Sequence, residues 1–293
     1  MAKKKIFRGV GTALITPFRN GIIDYTALSR IIEIQIEAGV DAIIIGGTTG
    51  EASTLTDAQR YQLFAYAKAT VDSRCKIIFG TGSNDTAEAV LHTKRASRIG
   101  CDGILCVTPY YNRGTEGGIV KHYLQIAECS TAPVLLYNVP SRTGVNLSYN
   151  ALKTLSKHEN IAGIKEASDS VDRLISIREL GDDLPLYAGN DSATHTVMAM
   201  GGDGVISVLS NAYPTYLAKL MREFFEGRHG KSLAMQIKAL PIIRALFCET
   251  NPTPIKYLMK CLGLCDDEVR LPLDLACERT KQEIDRCRIL FEK

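Results

Sequence analysis

Short apolar runs recur along the chain, most of them too uniformly apolar for a strand with one wet face. They cover residues 10–15, 42–45, 76–80, 103–107, 134–137, 161–165, 186–188 and 204–208. Such runs read as strands buried on both faces, the mark of a parallel sheet. The stretches between them have helical period: Leu28, Ile31, Ile32, Gln35 and Ile36 form the stripe that packs a helix onto a sheet. Thr56 with Gln59 and Asp85 with Glu88 both read as capping boxes. Gly39, Gly100 and Gly201 fall where helices should stop.

Each of those glycines opens a short repeat: Gly39-Val40-Asp41-Ala42-Ile43, Gly100-Cys101-Asp102-Gly103-Ile104 and Gly201-Gly202-Asp203-Gly204-Val205. The repeat joins a helix stop, a turn Asp and the first residues of a strand, as expected when one βα unit recurs. Eight units of about 25 residues predict an α/β fold, the (β/α)8 TIM barrel. A doubly wound open sheet is the alternative, but its dinucleotide loop is missing: the first strand leads to Thr16-Pro17-Phe18, without GxGxxG. Beyond about Asn211 the pattern is helical only, broken at Asn251-Pro252-Thr253-Pro254 and Arg270-Leu271-Pro272. The expected organisation is a catalytic barrel over 1–225 and a C-terminal helical region over 226–293 packed on it.

Composition narrows the function classes. The 293 residues are 45% hydrophobic and 23% charged with net charge +3, which suits a packed core and offers no broad nucleic-acid footprint. The one basic cluster, Lys3-Lys4-Lys5, reads as a solvated tail. No apolar stretch reaches transmembrane length, and Arg8-Gly9 follows Phe7 where a secretory signal would carry an apolar core. Nine cysteines, an odd number without CxxC spacing, point to a reducing cytoplasm.

Active sites of such barrels lie at the C-terminal ends of the strands. Those ends carry hydroxyls, Lys165 and Arg142, and no His. Lys165 closes the run Ile161-Ala162-Gly163-Ile164, and alternation puts it on the face of Ile161 and Gly163. Inside a barrel, desolvation disfavours the ammonium, and a neutral amine can attack a carbonyl to form a Schiff base. Pairing with a neighbouring acid is the competing reading of the same position. Tyr137, closing the preceding strand, suits proton transfer to the carbinolamine, or else simply fills the core. Gly46-Gly47-Thr48-Thr49-Gly50-Glu51 lacks the P-loop ending, so a carboxylate held by amides and hydroxyls is its expected guest. Arg142, in the turn Pro140-Ser141-Arg142-Thr143-Gly144, could clamp a second carboxylate. The five histidines show neither HxxH nor HExxH spacing, and no metal site is expected.

Gly-Thr-Thr-Gly-Glu, Tyr-Asn-Val-Pro and Gly-Ile-Lys-Glu-Ala, followed by Asn251-Pro252-Thr253-Pro254-Ile255-Lys256, resemble the dihydrodipicolinate synthase family of class I pyruvate-dependent aldolases and lyases over nearly the whole chain. Ser141-Arg142-Thr143-Gly144 is the motif that favours the synthases over neuraminate and sugar-acid lyases. The resemblance implies that Lys165 forms an imine with pyruvate, whose carboxylate lies near Thr48 and Thr49. Tyr137 is then the general acid and base, relayed through Thr49 to a Tyr111 supplied by a neighbouring subunit. Arg142 holds the carboxylate of aspartate semialdehyde, and Gly189 and Ile206 complete the pyruvate pocket. The reaction belongs to diaminopimelate and lysine biosynthesis, needs no metal or organic cofactor, and is run by a homotetramer built from dimers. Asn84, Glu88 and Tyr110 match a lysine effector site, but Asp57 and Arg60 stand at positions often occupied by His in inhibited members. A catalytically silent barrel that senses pyruvate or lysine is the reading from another class; Lys165, Tyr137 and Thr49 all speak against it.

Overall fold

The computed structural model describes residues 5–168 and 170–293. Its eight parallel strands are β1 (Gly9–Ala13), β2 (Ala42–Ile45), β3 (Lys76–Gly80), β4 (Gly103–Val107), β5 (Val134–Asn138), β6 (Ile161–Glu166), β7 (Leu186–Ala188) and β8 (Gly204–Ser207). They form a closed barrel in sequential order, so the open-sheet alternative falls. Every residue of β1, β2, β5, β6, β7 and β8 is buried. That is the burial on both faces that their apolar runs call for. Lys165 and Glu166 are the only charged residues in those six strands.

The Gly–Asp repeat has a single mechanical role at its three sites. The N–H groups of Asp41, Asp102 and Asp203 donate to the carbonyls of Val10, Ile77 and Leu186 at 2.8, 2.8 and 2.7 Å. Each carboxylate then accepts the N–H of that same residue, at 2.8, 3.0 and 3.2 Å. One Asp thus satisfies both backbone groups at the start of the neighbouring strand, where an unpaired donor would be costly. Gly39, Gly100 and Gly201 have φ of 76, 86 and 81°, the left-handed turn that stops each helix.

The chain gathers into two compact units: Lys76–Ile206 with the segment up to Arg8, and Gly9–Cys75 with Ser207–Lys293. Within the first, Lys5 pairs with the buried Asp203 at 2.5 Å, so the basic cluster is not wholly solvated; Lys3 and Lys4 lie outside the described residues. Asp85 caps its helix through the Ala87 N–H, but Glu88 does not close a capping box. Glu88 instead accepts from the Ser83 hydroxyl at 2.9 Å, and Ser83 Oγ takes the Asp85 N–H at 3.1 Å. A hydroxyl from the strand end has displaced the helical carboxylate.

In the second unit the Thr56–Gln59 box forms as expected. A two-stranded hairpin, Phe18–Arg19 with Ile22–Ile23, precedes the helix Tyr25–Glu37. Helices Pro214–Phe225, His229–Ala245, Thr253–Cys261 and Glu278–Glu292 make up the C-terminal part. Asn211 binds the Ile15 N–H at 3.0 Å and the Ala13 carbonyl at 2.8 Å, tying that part to the end of β1. Among the described residues no helix is long and apolar enough to cross a membrane.

Candidate active site

Strands β5 and β6 pair with Tyr137 opposite Lys165 and Asn138 opposite Glu166. The Lys165 amine lies 4.2 Å from the centroid of the Tyr137 ring. A register shift at Val134/Leu135 interrupts the alternation counted from Ile161, so pairing with Tyr137 is the firmer guide to the face of Lys165. Gly163 beside the shift has φ +146°, and a Cβ there would stand 2.6 Å from the Pro185 carbonyl oxygen. Only glycine fits. Lys165 is 6% exposed, and among the described residues it has no carboxylate or hydrogen-bond partner.

The acid next to it is already engaged. Glu166 accepts both bonds from Asn138 Nδ2 at 2.8 and 3.0 Å, the Ser168 N–H at 2.9 Å and Arg173 Nε at 3.2 Å. Its charge is matched by Arg173, while Lys165 Nζ faces the Tyr137 ring. Asn138 also accepts the Leu147 N–H at 3.0 Å and thereby pins the loop that carries Arg142. Arg142 is exposed on the short helix Pro140–Thr143, which ends at Gly144 with φ +67°. The Arg113 guanidinium comes so close to Gly144 that a Cβ there would lie 3.3 Å from it.

Thr108 fastens the next loop to β5 through the Tyr137 carbonyl at 3.0 Å. Beyond it Tyr110 is 37% exposed, while Tyr111 is 89% exposed with φ +70°. Asn112 donates to the Asn84 carbonyl at 3.0 Å, which brings the base of this loop to two of the effector candidates, Asn84 and, through Ser83, Glu88. Ile206 is fully buried in β8. Gly189 donates to the Glu166 carbonyl at 2.7 Å, and a Cβ there would stand 2.6 Å from that of Ala167. Close approach of backbone beside Glu166 requires this glycine.

The Gly46–Glu51 loop sits in the other unit. Gly50 and Glu51 donate back to Gly47 and Thr48 within the turn. The N–H groups of Thr48 and Thr49 have no partner among the described residues, so two donors remain for a guest. Thr49 is buried, and its hydroxyl oxygen accepts from Asn251 Nδ2 at 2.9 Å. Glu51, at φ +53°, accepts from Lys256 Nζ at 2.5 Å and from the Arg270 N–H at 2.9 Å. Lys256 also donates to the Glu268 carbonyl at 2.7 Å and lies 4.3 Å over the Phe18 ring. Burial pulls its amine below the ordinary lysine value, and Glu51 opposes that pull. Arg60 is buried and donates to the Ala52 carbonyl at 3.0 Å.

The residue pattern alone does not single out Lys256, Asn251 or the Asn138–Glu166–Arg173 network. Lys256 lies in a helix, where a lysine is ordinarily solvated, and its partner Glu51 is 205 residues away. Of the two buried lysines among the described residues, Lys256 is locked in an ion pair with Glu51, and Lys165 has no such described partner.

Among the described residues a buried lysine without an acid partner lies beside a phenol at the end of a (β/α)8 strand, an arrangement suited to a Schiff-base-forming lyase of the class I aldolase type. The profile of the "Dihydrodipicolinate synthetase family" matches residues 6–288. A 4-hydroxy-tetrahydrodipicolinate synthase of Alkaliphilus oremlandii is 42% identical over 98% of both chains. The structure of the 4-hydroxy-tetrahydrodipicolinate synthase of Methylacidiphilum fumariolicum superposes with a TM-score of 0.95 at 40% identity, over 97% of this chain and 96% of that one. The dihydrodipicolinate synthase of Acinetobacter baumannii, solved as a complex with pyruvate, gives 0.95 at 36% identity over 97% and 99%. The chain belongs to the dihydrodipicolinate synthetase family.

Proposed function

We propose that this enzyme condenses pyruvate with L-aspartate 4-semialdehyde through a Schiff base on Lys165. The observation that carries the reading is Lys165 itself, buried, free of any described acid and 4.2 Å from the Tyr137 ring centroid. The Lys165 amine adds to the keto carbon of pyruvate, and loss of water gives a protonated imine. That imine is the electron sink: a methyl proton leaves, and the resulting enamine carbon attacks the aldehyde. Tyr137 moves protons to and from the carbinolamine and the new alkoxide, with Thr49 and Tyr111 as its relay. The amino group of the second substrate then displaces Lys165 as the ring closes.

Thr48 and Thr49 hold the pyruvate carboxylate with two N–H donors that have no partner among the described residues, and Gly189 and Ile206 complete the pyruvate pocket. Arg142 clamps the carboxylate of the aldehyde substrate. A sugar-acid lyase would share the imine but has no use for a cation at that end. The exposure of Tyr111 supports a role in a neighbouring subunit's site, within a cytoplasmic homotetramer built from dimers. In this reading 1–225 is the catalytic barrel and 226–293 its helical extension. Asn84, Glu88 and Tyr110 form the lysine effector site.

Steady-state rates decide between the aldehydes. Turnover with pyruvate and aspartate semialdehyde, exceeding that with N-acetylneuraminate or keto-deoxy sugar acids, supports the synthase. The reverse ranking overturns it. The same assay with added L-lysine reads the effector positions.

A further inference from the structure

Two exposed cysteines far apart in sequence share one hydroxyl. Cys248 Sγ lies 3.3 Å from Thr280 Oγ1, and Cys277 Sγ lies 3.6 Å from that same oxygen. Their separation therefore cannot exceed the sum of those two distances. The backbones are tied as well: the Cys277 N–H donates to the Glu249 carboxylate at 3.3 Å, one residue beyond Cys248. Cys277 is the N-cap of the helix Glu278–Glu292, and its side chain makes no capping bond. Nearby Cys287 differs: it is 1% exposed, and burial pushes its thiol up.

We propose that Cys248 and Cys277 are a reactive dithiol that closes to a disulfide by exchange with a low-molecular-weight disulfide. One thiolate attacks a sulfur of the small disulfide and expels the first small thiol. The second protein sulfur attacks the mixed disulfide, forms the Cys248–Cys277 bond and expels the second small thiol. Two electrons pass to the small disulfide, and the two protein protons end on the released thiols.

The ring so closed spans 248–277 and contains Asn251, Lys256 and Arg270, which bind Thr49 and Glu51. Oxidation thus staples shut the segment that grips the Gly46–Glu51 loop. Exposed dithiols of this kind serve as transient redox sites rather than structural bridges in reducing compartments. The bond rests on the thiol geometry alone and would stand whatever Lys165 does.

The test treats the full-length protein with oxidised glutathione and maps its peptides by mass spectrometry. The expected product is a 248–277 cross-linked peptide lighter by about 2 Da, with two of the nine thiols lost. Cys248→Ser and Cys277→Ser should each abolish it, while Cys287→Ser should not. A glutathione adduct that never resolves, a cross-link between other cysteines, or nine unreacted thiols would each overturn the proposal.

Discussion

The Lys165 amine lies 4.2 Å over the ring of Tyr137, its cross-strand partner on β5. The pairing lets one phenol do two things: its ring packs against the amine, and its hydroxyl can move the protons of imine formation. Tyr137→Phe keeps the ring and removes the hydroxyl. Turnover should fall by about 10²–10⁴-fold, the usual range for losing a positioned acid or base. A variant retaining more than a tenth of wild-type kcat would remove Tyr137 from the proton transfers.

The two buried lysines should separate stability from activity. Lys256→Met strands the Glu51 carboxylate in the interior and should cost about 3–5 kcal/mol, read by urea denaturation. Adding Glu51→Gln should return much of that loss. Lys165→Met breaks no ion pair among the described residues, so stability should change by less than about 1 kcal/mol while activity disappears. Equal destabilisation by the two lysine variants would refute the distinction.

Much of this architecture was legible in residue order. Asp41, Asp102 and Asp203 announce their strands because one short-range device, an Asp capping the neighbouring strand start, recurs with the βα unit. The burial of Lys165 was legible because a charge closes a run of four residues without a polar side chain. What escaped depends on distance in sequence. Asn251 reaches Thr49 across 202 residues, and Lys256 reaches Glu51 across 205. No local pattern distinguishes those side chains from solvated ones. The register shift at Val134/Leu135 escaped for a related reason, since it belongs to two strands and Gly163 alone does not reveal it.

Arg142 offers a fork to a carboxylate, and a lysine offers only a point charge. Arg142→Lys should raise the KM for aspartate semialdehyde about tenfold or more and leave the KM for pyruvate within about twofold. If both KM values rose together, Arg142 would be shaping the whole pocket rather than holding the second substrate.

His122 gives the fold an acid limit. Its Nδ1 meets Thr86 Oγ1 at 3.0 Å, and its buried Nε2 has no partner among the described residues. Burial lowers its pKa from 6.5 to about 4, against a small opposing pull from Asp85. The unfolded chain therefore takes up a proton below about pH 6.5 that the folded chain refuses until about pH 4. Stability is lost as pH falls through that window, by about 2 kcal/mol from this group between pH 7 and 5. His122→Gln should remove that part of the slope in denaturation curves at the two pH values; an unchanged slope would clear His122.

The whole reaction turns on which lysine meets pyruvate. Incubating the protein with pyruvate and borohydride, then sequencing its peptides by mass spectrometry, reads that residue directly. The expected product is a reduced three-carbon acid on Lys165, absent from Lys165→Met and still present in Tyr137→Phe after longer incubation. A label on Lys256, or none on Lys165 in an active enzyme, would contradict it.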